Sequence, residues 1–192
     1  PEDGLRLVIT QDPAEAATLA GRIESLNRER KARSEAALAA ADAQLRADPA
    51  RERQPAILVE GEGWDGGVLG LVASALARRY DRPAVVISRH TDGFCTASAR
   101  SVEGIDVHAA IVSQRGLLMR EGGHPMAAGF AIAREQVASF SAGVLAEIAS
   151  QSTKRPALSC LDVDAEVPWG ELSLDLAQSL ARMAPYGPGN PE

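Results

Sequence analysis

The sequence has few cysteines, almost no lysine and none of the common catalytic signatures. Cys95 and Cys160 are its only cysteines in 192 residues. They are too few and too far apart for a disulfide scaffold or a four-cysteine zinc site, and such usage fits a reducing cytosol. No apolar run approaches ~18 residues, which excludes a transmembrane helix. The opening Pro1-Glu2-Asp3-Gly4 is not a basic-then-apolar signal segment. His90, His108 and His124 have no metal-ligand spacing to one another. There is no P-loop, no dinucleotide-binding glycine fingerprint and no Gly-x-Ser-x-Gly elbow. Asp162 and Asp164 lie two apart without a basic or histidine partner and read as surface acids.

What is present is globular. Hydrophobic residues make up 45% and charged residues 24%, which excludes wholesale disorder. The length suits one domain, or one domain with part of another. The net charge of −6 argues mildly against a nucleic-acid binder, but it is unevenly placed. Residues 161–192 hold six acids and one base, a balance of −5. Residues 22–33 and 78–89 each carry a local +3, as solvated helix faces or as phosphate-facing patches. Eighteen of the twenty bases are arginine, the better planar fork for phosphate. The 35 alanines beside them also match a bias of genome composition.

Residues 5–10 read as a short strand. Asp12, Pro13 and Glu15 then mark a helix start. No breaker follows from Gly21 to Pro49, so the pattern predicts a helix of ~36 residues, ~54 Å long. Its polar middle, Asn27 to Glu35, cannot be buried all round. The helix reads as a bridge between two bodies, with a coiled-coil partner as the alternative. From Ala56 strands and helices alternate. Strands are expected at 56–60, 84–88, 94–99 and 129–132, and helices at 67–80, 106–114 and 134–150. Gly122-Gly123 reads as a loop. Residues 151–156 are linker-like, 158–167 alternate as a strand, and 172–183 read as a helix. The fold class is α/β, a mixed sheet flanked by helices.

Three stretches could carry chemistry. In Gly122-Gly123-His124-Pro125-Met126-Ala127-Ala128-Gly129 the glycines allow close backbone approach and amides aimed at an anion. His124 can donate to a phosphate oxygen or a base edge. The bland alternative is a turn with an exposed histidine. In Ser98-Ala99-Arg100-Ser101, Ser98 and Arg100 share one face at strand spacing and could hold a phosphodiester. A plain strand end is the alternative. Trp64-Asp65-Gly66-Gly67 opens a helix, where an anion is favoured. Trp64 could stack a base there, or could serve as a packing anchor.

Taken in order, Gly63-Trp64 through Gly67-Val68-x-Gly70, Ser98-x-Arg100-Ser101-x-x-Gly104 and Gly122-Gly123-His124-x-x-Ala127-Ala128-Gly129 resemble the DHH-associated substrate-binding domain of the RecJ family. These are single-strand-specific 5′→3′ DNA exonucleases acting in recombination and repair. Leu26-Asn27-x-x-Arg30-Lys31 resembles the family's connecting helix, and Pro185 to Glu192 resembles a signature of its OB-like domain. The resemblance implies four parts: the end of a DHH domain (1–11), the connecting helix (12–50), the DHH-associated domain (51–152), and a linker with the beginning of an OB-like domain (153–192). It implies that Gly122, Gly123, His124, Ser98, Arg100, Ser101, Arg30 and Trp64 hold nucleic acid.

It further implies Mn²⁺ or Mg²⁺ in an absent DHH domain, none of it held by these residues, and a two-metal hydrolysis. The partners implied are single-stranded DNA and, among proteins, a single-strand-binding protein or a helicase, in the cytoplasm and away from membranes. The family usually has histidine where Asp65 stands. A carboxylate there would repel a phosphodiester or help bind a cation. The chain then reads as a piece of a longer protein. The alternatives are a DHH phosphoesterase acting on oligoribonucleotides or cyclic dinucleotides, and a non-catalytic nucleic-acid-binding module. This reading predicts that the chain alone, given Mn²⁺, releases no nucleotide from single-stranded DNA. Release that survives His124→Ala in a gel assay contradicts it.

Overall fold

The computed structural model describes residues 2–153 and 165–186. The chain divides into two units, Pro1–Arg155 and Pro156–Glu192. The first begins with helices α1 (Glu2–Ile9), α2 (Pro13–Ala47) and the single turn α3 (Pro49–Glu52). Strand β1 (Ile57–Glu62), helix α4 (Gly66–Tyr80) and strands β2 (Ala84–Arg89) and β3 (Phe94–Arg100) follow. Helix α5 (Val107–Val112), the hairpin of β4 (Leu118–His124) and β5 (Ala127–Ala133), and helix α6 (Val137–Ser152) complete it.

The expected strand over residues 5–10 is instead α1. An isolated strand would leave its backbone groups unpaired, whereas a helix closes its own ladder. Side chains then tie α1 to α2. Arg22 pairs with Asp3 at 3.2 Å, Arg6 pairs with Glu15, and Thr10 donates to Glu15 at 2.6 Å. Leu5, Val8 and Ile9 stay 64%, 83% and 64% exposed.

Helix α2 starts where its cap was legible. Asp12 accepts from the amide of Ala14, with Pro13 in the first turn. Its 35 residues give a rod of about 52 Å. Only Leu19, Ala37, Ala41 and Leu45 are buried along it. The last three recur every fourth residue, so one stripe of the C-terminal half faces the domain.

The five strands run in the order β1-β2-β3-β5-β4. β1 and β2 are parallel, joined through α4, and the other pairs are antiparallel. Burial along each strand reports what covers it. β2 is buried from Ala84 to Ser88, as expected of a strand with helices on both faces. β3 alternates: Cys95, Ala97 and Ala99 are buried, while Thr96, Ser98 and Arg100 are half-buried. One face carries α2 and α4, with Leu45, Ile57, Val59, Leu69, Val72 and Val86 packed together. The other carries α5 and α6 over Val85, Ile87, Phe130, Ile132 and Phe140. The Phe130 and Phe140 rings lie 4.5 Å apart. At the free edge of β1 the Gln44 side chain imitates a strand. Its amide donates to the Glu60 carbonyl at 2.6 Å and its oxygen accepts from the Glu60 amide at 3.3 Å, which closes part of an edge open to mispairing.

Gly122 and Gly123 are not a loop but the end of β4. Glycine weakens a strand, and the pair therefore reads as a turn. The ladder overrides that preference: Gly122 pairs with Gly129, Gly123 with Ala128 and His124 with Ala127. Only Pro125 and Met126 remain in the turn.

In the second unit the described residues form a 3-10 turn (Trp169–Glu171) and helix α7 (Leu174–Ala181), capped by the Ser173 hydroxyl. α7 falls within the helix expected over 172–183. Of the strand expected over 158–167, residues 158–164 lie outside the described residues and 165–167 are not in a strand. The tail signature beyond Tyr186 also lies outside them. Leu45 is fully buried where α2 meets the sheet. Leu45→Ala should cost about 2–5 kcal/mol, read as a lower urea midpoint without loss of helical signal.

Candidate nucleic-acid interface

Directly opposed residues of antiparallel strands share a face, and each strand alternates faces. The ladder therefore makes three rows on the α4 side of the sheet. Thr96, Ala131 and Arg120 form the first, Ser98, Gly129 and Gly122 the second, and Arg100, Ala127 and His124 the third. Successive rows lie about 6.6 Å apart along the strands. α4 packs over β2 and β3. Beyond it the face is open, so that Gly129 is exposed although β5 is an interior strand. A cleft of about 450 Å³ lies there, lined in part by Gly66, Thr96, Arg120, Gly122 and Gly129.

Arg100 is half-buried beside this cleft. One guanidinium nitrogen donates to the Ala99 carbonyl at 2.8 Å and to the Ser98 hydroxyl at 3.1 Å. It forms no ion pair with a carboxylate among the described residues. A preoriented guanidinium without a carboxylate suits a phosphate oxygen. His124 is exposed at the hairpin end, and its Nδ1 accepts from the Met126 amide at 3.3 Å. In the neutral ring this puts the proton on Nε2, which can donate.

The sequence candidates thus part company. Ser98, Arg100, Gly122 and His124 share one face of the sheet. Gly123 belongs to the opposite face, in register with Ala128. A β-carbon there would stand 2.5 Å from the Ala127 carbonyl oxygen and 2.6 Å from the Ala128 α-carbon, so this glycine serves the hairpin. Ser101 is buried and donates to the Ile105 carbonyl at 2.6 Å, holding the turn after β3. Trp64 packs against the α2–α4 core, and its carbonyl accepts from Ser88 at 2.7 Å. Arg30 is exposed on α2, bonded to Asn27 at 2.7 Å. It lies one turn before Arg33, which does reach the domain.

Arg33 explains Asp65. The Asp65 carboxylate caps α4 by accepting from the Gly67 amide at 2.8 Å, and pairs with Arg33 at 2.7 Å. Both contacts, the Gly67 bond first, hold its carboxyl below the usual aspartate range. Its charge is matched locally.

Several other basic residues are also partnered. Arg28 faces Glu24, Lys31 faces Glu35, and Arg33 faces Glu29 as well. Arg79 pairs with Asp42 at 2.6 Å, Arg82 donates to the Glu52 and Gln54 carbonyls, and Arg89 faces Glu60 and Glu62.

Sequence reasoning missed Arg120. It is exposed and shares the face of Gly122 and His124. Strand alternation counted back from His124 would have found it, had 118–124 been read as a strand. Glu121, on the opposite face, anchors β4 to α5 and the turn after it. His108 lies 3.1 Å from it, and Arg115 pairs with it. These contacts, Arg115 first, lower its carboxyl pKa.

Comparison with known proteins follows the same outline. A family model for the DHHA1 domain matches residues 54–150. The chain is 31% identical over 193 residues to the single-stranded-DNA-specific exonuclease RecJ of Bacillus subtilis (strain 168), covering 100% of this chain and 24% of that protein. To the protein of the same name from Thermus thermophilus it is 35% identical over 191 residues, covering 100% and 27%. The crystal structure of RecJ in complex with Mn²⁺ from Thermus thermophilus aligns with a TM-score of 0.80 and 34% identity, covering 100% of this chain and 28% of that one. The chain thus spans about a quarter of the length of these curated relatives.

Asp65→Asn keeps a cap acceptor and removes the charge. Because the folded carboxyl is depressed, its contribution is complete above the ordinary aspartate range and is lost as pH falls through the lowered value. The variant should therefore melt below the parent at pH 7, and the gap should close in acid, as thermal unfolding across pH will show.

Proposed function

The chain belongs to the DHHA1 domain family, and on that premise we propose that it is the strand-holding part of a single-strand-specific DNA exonuclease of the RecJ kind. One observation carries the reading: one sheet face sets the carboxylate-free Arg100 in the same row as His124, with Ser98 bonded to it from the next row. Arg100 takes a phosphate oxygen through its guanidinium, and the Ser98 hydroxyl fixes its aim. His124 donates from Nε2 to the same phosphate or to a base edge. Gly122 and Gly129 form a floor without side chains, which lets a nucleotide approach the backbone. Arg120, two rows from His124, lies about 13 Å along β4 and can meet a further phosphate. Arg30 lines the path of the strand from α2. Gly123 and Ser101 build the hairpin and turn that present the face, and Trp64 buttresses α4.

In this reading residues 51–152 are the substrate-binding domain and 12–50 the helix connecting it to a catalytic domain. Residues 153–192 are a linker and the beginning of an OB-like domain. Hydrolysis from a 5′ end belongs to the parent enzyme, in cytoplasmic recombination and repair, with a single-strand-binding protein or a helicase as protein partner. The RecJ structures compared hold Mg²⁺ or Mn²⁺. Among the described residues, no group of three or more His, Cys, Asp or Glu is placed to hold a metal.

The test is the salt dependence of binding to single-stranded oligothymidylate by fluorescence anisotropy. The chain should bind it weakly, but more tightly than a dinucleotide. Arg100→Ala should flatten the slope of log affinity against log salt by ~0.7, one phosphate contact on a single strand. An unchanged slope removes Arg100 from the site.

A further inference from the structure

Helix α4 carries glycine at position 70, in its second turn. Glycine is the poorest helix former after proline. Gly70 is not among the residues with positive φ, so the backbone conformation does not require it. The requirement comes from the sheet. A β-carbon at Gly70 would stand 2.7 Å from Nη2 of Arg100, 3.3 Å from its Cζ and 3.3 Å from the Ser98 hydroxyl oxygen. These are its three nearest neighbours, and all are side-chain atoms of the candidate interface.

We infer that Gly70 is a positioning residue for phosphate recognition: its missing side chain is the seat in which the Arg100 guanidinium rests against α4. The inference rests on the role proposed above for Arg100. Seated there, the guanidinium is held from three sides, by the Ala99 carbonyl, the Ser98 hydroxyl and the bare helix backbone. Its rotamer freedom is removed before a ligand arrives, which lowers the entropy cost of binding. Helix propensity is given up for the aim of one side chain at a functional site, a local conflict of the kind expected there. A methyl group at position 70 would displace the far end of a flexible side chain rather than a core residue or backbone. The fold can therefore absorb it while the guanidinium cannot stay.

Gly70→Ala in the 192-residue chain separates aim from fold. Thermal melting should show a midpoint equal to or above the parent's. Affinity for single-stranded oligothymidylate at low salt should fall about tenfold, the loss expected for a disrupted charged hydrogen bond. In an Arg100→Ala background the same change should cost nothing further. The Nε–Hε NMR resonance of Arg100 should shift in Gly70→Ala without any ligand present. Parental affinity in Gly70→Ala, while Arg100→Ala weakens binding, overturns the inference and leaves the Arg100 reading standing. An equal loss in the Arg100→Ala background, an unmoved resonance or a lowered melting point also overturns it. If Arg100→Ala itself binds like the parent, the Arg100 reading fails, and this inference fails with it.

Discussion

The hydrogen-bond ladder of β3, β5 and β4 sets Ser98 opposite Gly129, and Gly129 opposite Gly122. Everything proposed for this chain depends on that register. A slip of one residue would turn every side chain to the other face. Ser98, Arg100 and His124 would then point at the α5 and α6 side, and Ala128 and Phe130 would point at the open face. The core holds the register, because the Phe130 ring packs at a tilt against Phe140 of α6 and Ala97, Ala99 and Ile132 fill the same layer. The packed face thus fixes the open one.

Net charge says little about such a face, because most arginines are already engaged. Arg79, Arg82, Arg89 and Arg33 tie helices to neighbouring elements or strands to one another. Arg28 and Arg33 along α2 also face acids on the helix itself. Exposed pairs of this kind add little stability, and the basic charge they hold is met locally. Like Arg82, which bonds two carbonyls, Arg100 has a carbonyl and a hydroxyl as partners. Its positive charge is therefore not cancelled by a neighbouring carboxylate.

Helix α2 serves two purposes along its length. Its C-terminal half is part of the domain, through Leu45, the Asp42–Arg79 pair and the Gln44 bridge to β1. Beyond Arg33, which reaches Asp65, the middle of the rod is polar and exposed. Asp65 therefore couples the helix to the start of α4, beside the glycine floor. Asp65 thus has a structural partner on α2.

Local signals determined much of this chain. Asp12-Pro13 placed the start of α2, the apolar run at Ala84 placed a buried strand, and Asp106 placed a cap. Strand spacing put Ser98 with Arg100. Local pattern failed at residues 5–10, where a helix replaced a strand, and at Gly122-Gly123, where a strand replaced a loop. In the second case long-range pairing outweighed propensity, because each ladder bond satisfies backbone groups that a loop would leave to solvent. The sequence by itself determined most of the elements from α2 to α6 and the residue types able to meet a phosphate. Only the tertiary structure decided which of them share a sheet face. It joined Arg120 to the face and removed Gly123, Ser101 and Trp64. It also gave Gly70 its reason, since facing depends on register and on close approach between elements far apart in the chain.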